Sequence, residues 1–157
     1  MASKPVLLQP NSAKEFFLDT DASDVGLGAV LVQRDDEGHF HPVAYGSRKL
    51  NPAESRYSTR EQEALAIVWG IDKFLCFLRG RRFTVITDHR SLSWLLTAPL
   101  TKGRLTTWTY RLREHDFSIV YRRGADNQVA DYLSRAVYAL VPASLRRWLG
   151  VRRRWHT

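Results

Sequence analysis

From Ser58 onward the apolar residues change their period, and that change restricts the fold more than any other feature of the chain. Leu65, Val68, Ile71 (with Asp72 one step on), Leu75 and Leu78 recur at three- and four-residue steps, the spacing of a helix that buries one face. Ser58 or Thr59 ahead of Glu61 and Gln62 resembles a capping box, and Gly80 is the stop, so the spacing predicts a helix of about 20 residues. Before it come three short β-prone runs. Residues 15–21 read as a first strand and 29–33 as a second, with turn chemistry over Asp24 to Gly28. After the reverse turn Asp35-Asp36-Glu37-Gly38, residues 41–47 read as a third strand, with Pro42 near its start or on an edge. Three strands joined by short turns form an antiparallel meander.

Beyond Gly80 the two periods alternate. Residues 83–87 read as a fourth strand, 91–96 as a short helix broken before Pro99, about 104–115 as a second long helix and 117–121 as a fifth strand. After the turn Gly124-Ala125-Asp126-Asn127, a last helix carries Asp131. The order βββαβαβα predicts an α/β architecture, a mixed sheet with helices packed on it. We divide the chain into a connector over residues 1–14, a folded domain over 15–138 and an Arg- and Trp-rich basic tail over 139–157.

A chain of 157 residues, 44% hydrophobic, is long enough for one domain with a real core. No apolar run approaches the roughly 18 to 20 residues of a membrane span, and Met1 to Pro5 lacks the apolar stretch of a signal peptide. The expectation is a soluble, unsecreted, intracellular protein without a membrane partner. The single Cys76 excludes an internal disulfide framework, and in the run Phe74-Leu75-Cys76-Phe77-Leu78 it reads as an inert core thiol. Five of the 24 Lys and Arg residues fall in 143–157, where there is no acid, which leaves the rest of the chain only mildly basic. That balance is compatible with a polyanionic partner and equally with ordinary solubility.

Four carboxylates carry the chemistry. Asp21 ends the first β-prone run, Asp88 directly follows the fourth, Glu63 lies in the long helix and Asp131 in the last one. A strand that ends in Asp places the carboxylate at the sheet rim, where backbone pairing stops and a ligand can approach. A helix packed over that rim, buried through Leu65, Ile67 and Val68, can add Glu63. Taken singly, each acid has an ordinary use: a turn former for Asp21, an N-cap for Asp88, a solvated helix residue for Glu63, a helix-dipole partner for Asp131. Together they form a cluster that repels itself unless cations neutralise it, and oxygen ligands of this kind suit Mg²⁺ or Mn²⁺.

The segments Leu18-Asp19-Thr20-Asp21-Ala22-Ser23, Gly28-Ala29-Val30-Leu31, Pro42 to Leu50, Tyr57 to Val68, Thr87-Asp88-His89 and Asn127 to Arg135 resemble the ribonuclease H domain of gypsy-type long-terminal-repeat retrotransposon Pol polyproteins. The likeness runs in order from about Pro5 to Arg135. It implies the ribonuclease H-like fold, a five-stranded mixed sheet of three antiparallel strands followed by two parallel ones, with helices on both faces. It implies that Asp21, Glu63 and Asp88 ligate two divalent ions, Mg²⁺ or Mn²⁺, with Asp131 as the fourth acid. Of the two Glu in Arg60-Glu61-Gln62-Glu63, the one directly before Ala64-Leu65-Ala66 matches the catalytic position, which leaves Glu61 as a first-turn or surface acid. Asp19 shares the strand parity of Asp21 and would tune the site electrostatically.

The implied reaction is hydrolysis of the RNA strand of an RNA–DNA hybrid, beside a reverse transcriptase polymerase domain in a parent polyprotein, in a cytoplasmic particle or the nucleus. Arg48, Lys49, Lys102 and Arg104 are the expected phosphate contacts. A catalytically weak nucleic-acid-binding or domesticated interaction module that keeps the fold is the competing function. Cellular ribonucleases H carry a His in the loop before the last acid. Residues 121–127 have none, which implies slower turnover rather than inactivity. His89 is assigned to capping or packing at the helix start, and Trp69, Phe74, Trp94, Leu95 and Trp108 to the core rather than to base stacking.

Overall fold

The computed structural model describes residues 7–97 and 103–121. Five strands, β1 (Phe16–Ala22), β2 (Gly26–Arg34), β3 (Phe40–Lys49), β4 (Phe83–Thr87) and β5 (Phe117–Tyr121), form one sheet in the order β3-β2-β1-β4-β5. The first three are antiparallel; β4 pairs in parallel with β1, and β5 in parallel with β4. Every residue of β4 is buried, as expected of an inner parallel strand covered on both sides. Pro42 lies on the edge strand β3, where a missing N–H costs no ladder bond, and the register shifts opposite it between Leu31 and Val32. The Pro42 carbonyl accepts the N–H of Leu8.

The β1–β2 turn is closed by Ser23, whose N–H donates to the Gly26 carbonyl and whose Oγ accepts the Gly26 N–H. Asp21 is therefore released from turn duty and stays in the ladder, opposite Gly28. At the other end of the sheet, the fully buried Gln33 amide accepts the Asn11 N–H and donates to the carbonyls of Asn11 and Lys14, which fixes residues 11–14 to the end of β2.

One sheet face is covered by α1 (Thr59–Lys73). A Cβ added at Gly70 of this helix would stand 3.2 Å from Thr20 Cγ2, 3.3 Å from Ala29 Cβ and 3.4 Å from Leu18 Cδ2, so the helix backbone rests almost on the strands. The core between them contains Leu18, Leu31, Ile67, Ile71 and Phe83. A 3-10 turn at Glu54–Arg56, a short helix α2 (Leu75–Leu78), the 3-10 segment Arg90–Leu96 and α3 (Arg104–Leu112) complete the described elements. No described helix is long and apolar enough to cross a membrane.

Several boundaries differ from the sequence expectation. The long helix breaks at Phe74, whose φ of −107° and ψ of 23° leave the helical region, so the predicted single helix is two. The segment expected as a short helix at 91–96 is 3-10 and starts at Arg90, and α3 stops at Leu112 rather than His115. Gly26 to Gly28 belong to β2 and not to the turn. Cys76 is exposed, a correction with a simple cause: Phe74 and Leu78, four residues apart, take the inward side, and Cys76 between them faces out. Phe74, Leu95 and Trp108 are buried as expected, and Trp69 packs against the core while partly exposed. The helix predicted after Asn127 and the basic tail lie outside the described residues.

Candidate metal centre at the sheet rim

Asp21 and Asp88 reach the same rim because β1 and β4 are parallel neighbours, so both run toward that end of the sheet. Asp21 is the sixth residue of β1, and Asp88 directly follows the last residue of β4. Glu63 comes from α1, one turn after the capping box in which Ser58 Oγ accepts the Glu61 N–H and the Glu61 carboxylate accepts the Ser58 N–H. One carboxylate oxygen from each of Asp21, Glu63 and Asp88 lies within 4.8 Å of the others. Three acids separated by 42 and 25 positions in the chain thus meet at a single point.

Their environments differ. Asp88 is exposed, Asp21 is half-buried, and Glu63 is only 4% exposed, with Oε2 buried and accepting no hydrogen bond. Burial raises the Glu63 carboxyl to about 8; the charges of Asp21 and Asp88 push the same way, the Ala22 N–H opposes them, and Asp19 adds a smaller upward push. Asp19 lies two residues before Asp21 in β1 and so shares its side of the strand. A buried carboxylate oxygen without a donor, on a residue grouped with two other acids, fits a hard divalent cation: the donor set is all oxygen, and a bound cation would supply the missing partner.

The other expected residues have specific surroundings. Arg48 makes a two-pronged bond to Glu54, at 2.7 and 2.9 Å, and Glu54 also accepts the Asn51 N–H. The Arg48 guanidinium is the main reason the Glu54 carboxyl lies below its ordinary value. Lys49 is exposed at the end of β3. Arg104, at the first turn of α3, lies 3.9 Å from the ring centroid of Tyr57 and 3.3 Å from the Glu61 carboxylate. Lys102 and Asp131 lie outside the described residues. His89 helps to start the 3-10 segment: its N–H donates to Thr87 Oγ1 and its carbonyl accepts the Leu92 N–H. Sequence reasoning missed Glu54 and Tyr57, the partners of two of the expected phosphate contacts. The signal for Glu54 was present in Asn51-Pro52-Ala53-Glu54, where an Asn three residues ahead of a Glu is the local pattern of a turn that caps itself.

Residues 11–115 match the family described as the RNase H-like domain found in reverse transcriptase. This chain belongs to that family. The retrovirus-related Pol polyprotein of transposon 412 from Drosophila melanogaster is 47% identical over 132 residues, covering 83% of this chain and 11% of the polyprotein. The transposon Tf2-3 polyprotein of Schizosaccharomyces pombe is 39% identical over 142 residues, covering 87% of this chain and 11% of that one. The chain spans about a tenth of the length of these relatives. Among solved structures, the foamy viral protease-reverse transcriptase in complex with RNA/DNA hybrid superposes with a TM-score of 0.59 at 18% identity, over 78% of this chain and 17% of that one. At that identity the likeness concerns the fold, and the sheet order described above is that of the RNase H fold. The sequence resemblance to a retrotransposon RNase H domain therefore holds.

Proposed function

We propose that this RNase H-like domain is a metal-dependent endoribonuclease that hydrolyses the RNA strand of RNA–DNA hybrids as part of a reverse transcriptase. The observation that carries the reading is the meeting of Asp21, Glu63 and Asp88 within 4.8 Å, with a buried Glu63 oxygen that has no donor. Two Mg²⁺ ions (Mn²⁺ as a substitute) bound there would supply Lewis acidity on both sides of a scissile phosphodiester, polarising the attacking water and neutralising the leaving oxygen. Asp21 and Asp88 hold the ligand oxygens on rigid strand ends, and α1 holds Glu63 against them. The buried position of Glu63 keeps bulk water from competing for its free oxygen. Asp131 is proposed as the fourth acid on the strength of the resemblance of the segment Asn127 to Arg135 to the family's last acidic motif. The hybrid as substrate is supported by the family and by the foamy viral relative, which was solved with an RNA/DNA hybrid. Lys49, Lys102 and Arg104 stand as proposed phosphate contacts.

The test is a gel assay on a hybrid labelled in its RNA strand, with the parent chain and Asp88→Asn, in Mg²⁺ and in chelator. The expected result is metal-dependent RNA cleavage by the parent and a loss of at least about 100-fold in the variant. Binding of the hybrid without metal-dependent cutting, or equal cutting by both proteins, would refute the assignment.

A further inference from the structure

We propose that Tyr57 is a positioning residue which, together with the Glu61 carboxylate, holds the Arg104 guanidinium ready to grip a backbone phosphate of the nucleic acid. The inference rests on the reading above that a hybrid docks at the rim, and it adds the device that prepares one of its contacts. Arg104 opens α3, and Glu61 lies two residues before Glu63 on α1. The first turns of α1 therefore deliver the rim acid and restrain this cation together.

Arg48 and Arg104 are both expected phosphate contacts, and their surroundings separate them. Arg48 spends both terminal nitrogens on Glu54, whose side chain is only 12% exposed. Arg104 gives Glu61 one Nη1 bond of 3.3 Å, and among the described residues Nη2 and Nε donate to no acceptor. Its side chain is 47% exposed. A single exposed ion pair of this length is weak, so a phosphate can take the free edge of the guanidinium without displacing a strong partner.

The Tyr57 ring supplies a flat support. The Arg104 guanidinium carbon stands 3.9 Å from its centroid, well inside the roughly 6 Å of a cation–π contact. The ring is itself fixed: it packs against the core, its centroid lies 5.9 Å from that of Trp108, and the Tyr57 N–H donates to the Glu54 carbonyl. Trp108 is buried and comes four residues after Arg104 on α3, so one face of that helix presents both partners to the ring. Glu61 is held too, because its other carboxylate oxygen accepts the N–H and the Oγ–H of Ser58. An arginine loses rotamer freedom when it grips a phosphate, and a planar guanidinium already laid on a fixed ring has less to lose.

The experiment is fluorescence anisotropy of a labelled RNA–DNA hybrid with the full chain in chelator, read as Kd over a salt series. It compares the parent, Arg104→Ala, Tyr57→Leu, Tyr57→Phe and the double variant of Arg104→Ala with Tyr57→Leu. Arg104→Ala is expected to bind at least about 3-fold more weakly, with a salt slope reduced by about one phosphate contact. Tyr57→Leu is expected to lose a similar factor, Tyr57→Phe to bind as the parent does because the ring face makes the contact, and the double variant to be no weaker than Arg104→Ala alone. A Tyr57 that served only folding would lower the melting temperature and leave these affinities unchanged. Tyr57→Met carries the same arm of the test if the Leu variant fails to fold. The proposal is overturned if the parent does not bind the hybrid, if Arg104→Ala or the folded Tyr57 variant lacking the ring binds as the parent does, if Tyr57→Phe binds as weakly as that variant, or if the two losses add in the double variant. No cleavage enters this readout, so an absence of metal-dependent cutting with these affinities as expected would refute the endoribonuclease reading and leave the Tyr57 assignment standing.

Discussion

Glu63 must be an anion to bind a cation, in surroundings that favour its protonated form. Its folded-state value of about 8 lies above the ordinary 4.5, so the folded chain holds this proton more tightly than the unfolded chain does. The resulting stability is complete below about pH 4.5 and is lost as pH rises through about 8, a penalty on the order of a few kcal/mol for the metal-free protein at pH 9. Asp35 and Glu54 have lowered values and act in the opposite sense: their contributions are intact above about pH 4.5 and vanish in acid. Between pH 5 and 9 the trend therefore reports Glu63. In chelator, urea midpoints of the parent are expected to fall over this interval, and those of Glu63→Gln to stay nearly level; parallel curves would remove the charge conflict from the site. Both arms of the Arg48 guanidinium are engaged by Glu54, which sets the proposed phosphate contact at this residue against a role in holding the end of β3. Arg48→Ala is predicted to cost about 1 kcal/mol of stability while leaving the salt dependence of hybrid binding nearly unchanged. A salt slope reduced by about one phosphate contact would return Arg48 to the nucleic-acid surface.

The helix α1 sets how far Glu63 stands from the strands, and Gly70 sets how closely the helix can approach. Gly70→Ala gains about 1 kcal/mol in helix propensity but forces a methyl against Ala29 Cβ, which is fixed to its own backbone, and against Thr20 and Leu18. Overpacking of this kind costs about 1 to 3 kcal/mol, so the net effect is a lower melting temperature, with a weaker cleavage rate because Glu63 shifts outward. Thermal unfolding and steady-state cleavage of the variant check both parts. The start of this helix was legible in the sequence because a capping box is local chemistry: Ser58 and Glu61 bond to each other's backbone. Its break at Phe74 was not, because Leu75 and Leu78 continue the apolar period across a turn whose geometry is decided by packing. Cys76 was misplaced for the same reason, since an apolar run does not say which of its residues face inward. Gly26 and Gly28 were taken for turn residues, whereas the sheet uses them in ladder positions opposite Lys49 and Ser47.

For the whole molecule, the decisive fact is the strand order. Placing β4 beside β1, and not beside β3, which precedes it in sequence, is what brings Asp88 to Asp21. The apolar runs predicted five strands and their limits to within a few residues, but no periodicity states which strand neighbours which. The resemblance of several motifs in register implied three antiparallel strands followed by two parallel ones, which the sheet has, and the neighbourhood of β1 and β4 is read from the structure. The grouping of Asp21, Glu63 and Asp88 was legible for a related reason: each is the acid at the end of, or beside, a strongly patterned element. The pairings of Arg48 with Glu54 and of Arg104 with Tyr57 and Glu61 depend on side-chain contacts that the pattern does not encode. The proposed activity requires that the three acids share a cation. Crystals of the chain grown with MnCl₂ and measured for manganese anomalous scattering test this most directly. The expected result is a peak about 2.1 Å from carboxylate oxygens of Asp21, Glu63 and Asp88; manganese bound only elsewhere, with these three carboxylates free of it, would contradict the account.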